Sequence, residues 1–209
     1  MNQERMEMYL QTIDKLGIIT VRQFHNIFKC GGYRNSCRIV SELSPYLHET
    51  RSKEKIIYLN KEGRHLIGSQ KEVRKTPLFE HMLLLNDVYI YFDCPLSWKR
   101  EHIIETTQEP EFSFGIQVKG LSVAKDRVIP DAVFKRNGYI YLVEVDNTRS
   151  MIDNKKKIQK YVKMWKEIRS TYVEVPKLCI FTTSEKRKNT FEELTKSLSC
   201  EVKTFKEIK

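Results

Sequence analysis

The chain of 209 residues holds an odd number of cysteines, Cys30, Cys37, Cys94, Cys179 and Cys200, and no two stand at Cys-x-x-Cys spacing. That pattern argues against a zinc ribbon and a closed disulfide framework, and it suits a reducing cytosol. No stretch approaches the ~20 apolar residues that a membrane span needs. The opening segment, M-N-Q-E-R-M-E-M, lacks the apolar run of a signal peptide, so a cytoplasmic protein with no membrane partner is expected. Repeats and low-complexity tracts are missing as well. Acid is scarce relative to base: 27 Asp and Glu stand against 37 Lys and Arg, for a net charge of +10. Such an excess points to a polyanionic partner, nucleic acid first, although solvated surface lysines give the same balance.

What is present is an ordinary globular composition, 40% hydrophobic and 31% charged, long enough for one large domain or two small ones. The polar stretch from Gly68 to Thr76 lacks apolar periodicity and divides the chain into residues 1–68 and 77–209. In the first part, Met6, Tyr9, Leu10, Ile13 and Leu16 fall at helical spacing and Gly17 ends the helix. Thr20 caps a short helix, Gly31-Gly32 turns the chain, and a third helix runs from Tyr33 until Pro45 forbids it. Two short strands follow around the basic loop T-R-S-K-E, and a last helical turn closes the part.

Three helices and a basic-tipped hairpin describe a winged helix-turn-helix. In such a domain the second helix of the turn motif enters the major groove. Tyr33, Arg34, Asn35 and Arg38 would face the bases, since Arg suits guanine edges and Asn adenine edges. Arg51, Lys53 and Lys55 would meet phosphates from the wing. Double-stranded DNA is the expected partner. A homodimer is also expected, because winged proteins often read palindromes as dimers. The competing reading is a small dimerisation domain with solvated basic residues.

The second part opens with an apolar helix over P-L-F-E-H-M-L-L-L-N-D-V-Y-I-Y-F, followed by a strand over S-W-K-R-E-H-I-I. An irregular stretch runs from Glu105 to Asp126. A long basic helix is expected from Thr148 to Ile168, with Ile152, Ile158, Tyr161, Val162, Trp165 and Ile168 as its apolar stripe. A strand, a helix and a last strand complete the order, so the fold class is α+β with a mixed central sheet flanked by helices.

The chemistry concentrates between Val128 and Asp146. Asn137-Gly138 suits a type I′ turn, whose two central residues both need positive φ. Arg136 then pairs with Tyr139, and Asp131 stands opposite Glu144. Asp146 shares Glu144's face, because strand side chains alternate. Like charges across a ladder are destabilising, and a divalent metal held by carboxylate oxygens is the usual compensation.

The order P-D, hairpin, E-x-D, basic helix resembles the PD-(D/E)XK nuclease superfamily. There the aspartate and glutamate hold Mg²⁺ or Mn²⁺, and the last motif residue is lysine. The resemblance implies a nuclease-like second domain with Asp131 and Glu144 as metal ligands, and it departs at Asp146, an acid in the lysine's place and a third candidate ligand. The lysine is then expected on the following helix, at Lys157, with Tyr161 one turn on. Glu80 matches the first-helix glutamate that reaches the metal in many PD-(D/E)XK relatives. A surface glutamate is the equal alternative. His81, Asp87 and Glu101 are secondary candidates, His81 more readily as a hydrogen-bonded core histidine.

The winged part together with F-E-H-M-L-L-L-N-D-V, S-W-K-R-E, I-P-D-A-V-F and Y-L-V-E-V-D-N-T…K-I-Q-K-Y is similar to the replication-relaxation family of plasmids and other mobile elements, over most of the chain. That resemblance implies a DNA-binding accessory protein in replication, relaxation or mobilisation, working beside a replication or relaxase protein. Two readings stand beside it: a Mg²⁺-dependent endonuclease targeted by its winged domain, and a transcriptional regulator whose second domain binds a protein partner.

Overall fold

Apolar spacing and caps place the first elements where the sequence puts them. In the computed structural model of the chain, which describes all residues except 75, 77, 108–124, 148 and 209, α1 (Gln3–Leu16) buries Tyr9, Leu10, Ile13 and Leu16 and ends at Gly17. After β1 (Ile19–Thr20), Thr20 and Gln23 close a reciprocal capping box on α2 (Val21–Phe28), satisfying two N–H groups that a helix start leaves orphaned. Next come α3 (Tyr33–Glu42), a single 3₁₀ turn (Ser44–Tyr46), β2 (Leu47–Arg51), β3 (Lys55–Leu59), α4 (Lys61–Leu66) and α5 (Phe79–Tyr91). The three strands form an antiparallel sheet in the order β1-β3-β2.

The chain divides into two compact units, Met1–Cys94 and Pro95–Lys209. The border thus falls beyond the polar stretch 68–76, and α5, expected to open the second part, is built into the first. The reason is its contacts. Phe79 packs with Ile18 and Ile56, Asn86 donates a buried hydrogen bond of 2.5 Å to the Ile18 carbonyl, and Gln23 donates to the Leu83 carbonyl at 2.7 Å. A helix apolar on most sides is buried somewhere, but its sequence does not say against which neighbour.

The second unit holds β4 (Lys99–Arg100), β5 (Ile104–Thr107), β6 (Lys125–Val128), β7 (Ala132–Arg136), β8 (Tyr139–Asp146), α6 (Met151–Thr171), β9 (Val175–Thr182), α7 (Glu185–Leu194) and β10 (Cys200–Thr204). A mixed five-stranded sheet runs β10-β9-β8-β7-β4, and β5 with β6 forms a separate antiparallel pair. The described chain is therefore α+β, with seven α-helices among the described residues. The strand expected over S-W-K-R-E-H-I-I is split. Glu101 adopts φ +50°, which a continuing strand cannot use. Most of the stretch from Glu105 to Asp126 lies outside the described residues.

β8 is the middle strand of the five and pairs antiparallel with β7 and parallel with β9. Its last five residues are all buried, as expected of a strand covered on both faces. Ser150 caps α6 by accepting from the Asp153 N–H. Ile158, Tyr161, Met164 and Ile168 of α6 pack on Ile140, Leu142, Leu178 and Ile180 of the sheet, each fully buried apolar side chain contributing about 1.5–3 kcal/mol. Ile152 and Val162 were expected in that stripe but are exposed, at 67% and 41%. They lie off the line of i, i+3, i+6 and i+10 that starts at Ile158.

The hairpin that carries the acids turns on Asn137 (φ +51°) and Gly138 (φ +78°), in the left-handed region where a Cβ is penalised. Gly138→Ala should lower stability by about 1–2 kcal/mol, read as a shift in the urea midpoint with unchanged slope. An unshifted midpoint would show that the turn tolerates the strain.

Candidate functional site

The register of the β7–β8 hairpin runs from Arg136↔Tyr139 to Ala132↔Val143. One residue further, Asp131 donates its N–H to the Val143 carbonyl at 2.9 Å and accepts the Glu101 N–H on its own carbonyl at 3.1 Å. The regular ladder ends there, because Asp131 bonds to the same Val143 that pairs with Ala132, but its carboxylate still lies close to that of Glu144. The Asp131 Oδ2 accepts the Val145 N–H at 2.7 Å, which fixes the carboxylate and leaves Oδ1 on the side of α6. There the Lys157 ammonium lies 3.9 Å from Asp131 Oδ1 and 2.5 Å from Glu144 Oε2. Tyr161, four residues along α6, donates to Glu144 Oε1 at 2.6 Å. Residues i and i+4 of a helix share a face, so one helix delivers a cation and a hydroxyl to the two oxygens of one carboxylate.

The electrostatics follow from burial. Glu144 is 7% exposed, and its pKa is pushed up to about 8, first by desolvation and then by the neighbouring Asp131 charge, against the pull of Lys157 and Tyr161. Burial, and then the Glu144 charge, drive the Tyr161 hydroxyl well above its ordinary range, so it stays a donor. One ammonium does not fully offset two carboxylates here.

Asp146 is held differently. Its Oδ1 accepts from Asn154 at 2.7 Å and from Arg187 Nη2 at 2.6 Å, and its Oδ2 accepts from Thr182 and Arg187 Nε, each at 2.6 Å. Burial alone would raise its pKa, but the Arg187, Thr182 and Asn154 hydrogen bonds outweigh that and lower it. With two bonds on each oxygen, Asp146 is the buried half of an ion pair, not a companion ligand to Asp131 and Glu144. Arg187 also donates to the Arg149 carbonyl at 2.8 Å, which ties α7 to the turn that leads into α6. Among the described residues no group of three or more His, Cys, Asp or Glu could hold a metal ion, so the four expected ligands do not gather.

A metal would instead rest on a pair. Mg²⁺ is commonly bound by one or two carboxylates, with water and substrate oxygens completing the shell. Asp131 Oδ1 and Glu144 Oε2 already share one cation, the Lys157 ammonium. The donor set fits a hard divalent ion on those two oxygens. Beside the pair opens a groove of about 440 Å³ whose wall includes Arg127, Arg149, Lys156, Lys157 and Lys160.

A family model described as Replication-relaxation matches residues 10–175. The chain belongs to the replication-relaxation family. No curated protein matches it, and no solved structure does. The match takes in Asp131, Glu144, Lys157 and Tyr161, and Asn154 among the partners of Asp146, but stops short of Thr182 and Arg187. Sequence reasoning missed Arg187. Its only local signal is the Ser184 cap, which places it in the first turn of α7.

The other expected residues are placed as follows in this replication-relaxation chain. Glu80 is exposed and His81 half-buried on α5, in the first unit. Asp87 accepts from Arg22 at 3.1 Å and from Gln23 at 2.7 Å within that unit. Glu101 is exposed. On α3, Tyr33 and Arg34 are exposed, Asn35 donates to the Cys30 carbonyl at 2.7 Å, and Arg38 pairs with Glu42. At the hairpin tip Arg51 and Lys53 are exposed, while Lys55 pairs with Glu49 at 2.6 Å.

Two outcomes test this geometry. Arg187→Met leaves the Asp146 carboxylate buried without its ion, so unfolding free energy should fall by about 3–5 kcal/mol. A loss under ~1 kcal/mol would show that the clamp is solvated. The unfolded Glu144 titrates near 4.5 and the folded one near 8, so the folded state holds the extra proton between those values. Stability should therefore decline as pH rises from about 4.5 to about 8, and Glu144→Gln should flatten that decline. Parallel pH curves for the two proteins would contradict the burial argument.

Proposed function

We propose that this replication-relaxation protein binds DNA in the replication, relaxation or mobilisation of a plasmid or other mobile element, and that its second unit is a PD-(D/E)XK nuclease-like domain that cleaves a DNA strand with Mg²⁺ or Mn²⁺. The observation that carries this reading is the Lys157 ammonium, 2.5 Å from Glu144 and 3.9 Å from Asp131. A nuclease of this kind needs two carboxylates and a lysine; the sequence has an acid at the lysine's usual place, and the neighbouring helix supplies the lysine.

The element order of the first unit, α1-β1-α2-α3-β2-β3, supports reading it as a winged helix-turn-helix that binds DNA. In that reading α3 enters the major groove. Tyr33 and Arg34 are exposed for it, whereas Asn35 and Arg38 would exchange their present partners for base edges. Arg51, Lys53 and Lys55 would hold phosphates.

In the second unit each residue has a distinct task. Asp131, pinned through Oδ2 to the Val145 N–H, presents Oδ1. Glu144 presents Oε2 while Tyr161 holds Oε1. A divalent ion bound there supplies Lewis acidity toward a phosphoryl oxygen and makes water a better nucleophile at neutral pH. Lys157, moved from Glu144 to the phosphate, would hydrogen-bond the developing charge on its oxygens. Hydrolysis joins the water oxygen to phosphorus and breaks one bond from phosphorus to a sugar oxygen, which takes up a proton.

A second reading, an accessory protein that binds DNA without cutting, is favoured by one observation: both Glu144 oxygens are already hydrogen-bonded within the chain. Nicking of supercoiled plasmid separates the two. With Mg²⁺ or Mn²⁺ the wild type should yield open circles, and Asp131→Ala and Glu144→Ala should yield none. Lys157→Ala should be slower by on the order of 10²-fold or more. Absence of any wild-type cleavage across supercoiled, linear and single-stranded substrates would eliminate the cutting reading and leave the accessory one.

A further inference from the structure

Among the described residues, the groove beside the carboxylates is lined by five cationic side chains. Arg127 comes from β6, Arg149 from the turn before α6, and Lys156, Lys157 and Lys160 from α6 itself. Asp153, the single acid among its described lining residues, accepts the Ser150 hydroxyl at 2.7 Å in the helix cap. Lys157 is committed to Glu144 and Lys163, further along α6, to Asp126 at 2.7 Å. Lys156 and Lys160 have no ion-pair partner among the described residues. They are exposed and four residues apart on one face of the helix, about 6 Å along the axis, a step comparable with that between neighbouring phosphates on a strand. Two adjacent cations held on one rigid helix repel each other, and a polyanion relieves that repulsion.

We infer that this groove is a binding site for the sugar-phosphate backbone of a single DNA strand, held through its phosphates and not its bases, with the strand led past the Asp131–Glu144 pair. No aromatic side chain is among the groove's described lining residues, so it has none of the stacking platforms that read bases in single-strand binders. Phosphate contacts position a strand but carry no sequence information. The volume, about 440 Å³, is that of a pocket for a small-molecule-sized ligand, enough for a short piece of one strand and too small for a duplex. Lys157 lines the groove and touches Glu144, so a strand in the groove is next to the acids. Sequence preference would then belong to the first unit alone.

The inference rests on the proposal that the second unit meets DNA at Asp131 and Glu144, and its test is kept separate from cleavage. Full-length protein is titrated against a fluorescent single-stranded oligonucleotide and against a duplex, without divalent metal, over a range of NaCl concentrations. Arg127→Gln, Lys156→Gln and Lys160→Gln combined should lower the slope of log K against log salt on the single strand by about 2, from three lost contacts at ~0.7 each. The same three positions changed to Lys or Arg, keeping the charge, should restore it. A control triple of equal charge change on exposed positions of α6 outside the groove, Lys155→Gln, Lys166→Gln and Arg169→Gln, should change it much less. Equal losses in the two triples, or a loss confined to the duplex, would overturn the groove. A groove triple that loses the slope while wild-type protein never nicks would sink the nuclease reading and keep the groove.

Discussion

One hairpin sets Asp131 beside Glu144, and like charges that close cost free energy in proportion to how little water surrounds them. Glu144 is almost wholly withdrawn from solvent, so the cost is large, and its raised pKa is the expression of it. The surrounding elements answer this charge. α6 brings Lys157 and Tyr161 to the two Glu144 oxygens, and the β8 backbone gives Asp131 the Val145 N–H. The answer is partial, since a lone ammonium faces two carboxylates, and such an imbalance is one that a divalent cation corrects.

Asp146, two residues on and on the same face as Glu144, meets the same difficulty and resolves it another way. A bidentate arginine, a threonine and an asparagine fill its four acceptor positions. Buried ion pairs seldom add net stability over an apolar alternative, and their best-attested use is to fix register. Here the pair fixes the end of β8, the turn through Arg149 and the start of α7 to one another. The same turn leads into α6, which carries Lys157. The clamp and the carboxylate pair therefore share a mechanical base, although they do different things.

The hairpin was the most legible part of the sequence. Asn137-Gly138 announces its turn, and the alternation of β8 fixes which acids face α6, because both signals are local. Lys157 and Tyr161 were legible for a related reason: helical spacing puts them on one face, and a helix directly after the strand has to pack on it. Two things escaped. The apolarity of α5 shows that it is buried but not that it is buried against Ile18 and Ile56, so the border between units was placed too early. Arg187 stands 41 residues from Asp146, and nothing in the character of a capped, charged helix reveals which carboxylate one of its arginines will reach. The split of the strand near Glu101 was hidden too, since a glutamate with positive φ looks in sequence like any other.

The central claim is that Asp131 and Glu144 form a cation site that the Lys157 ammonium fills in the metal-free chain. Mn²⁺ titration followed by electron paramagnetic resonance addresses it without requiring catalysis or DNA. The account predicts one bound Mn²⁺ per chain, abolished by Glu144→Gln, and bound more tightly in Lys157→Met, where the competing ammonium is gone. No bound Mn²⁺ in either wild type or Lys157→Met, or binding indifferent to Glu144→Gln, would contradict it.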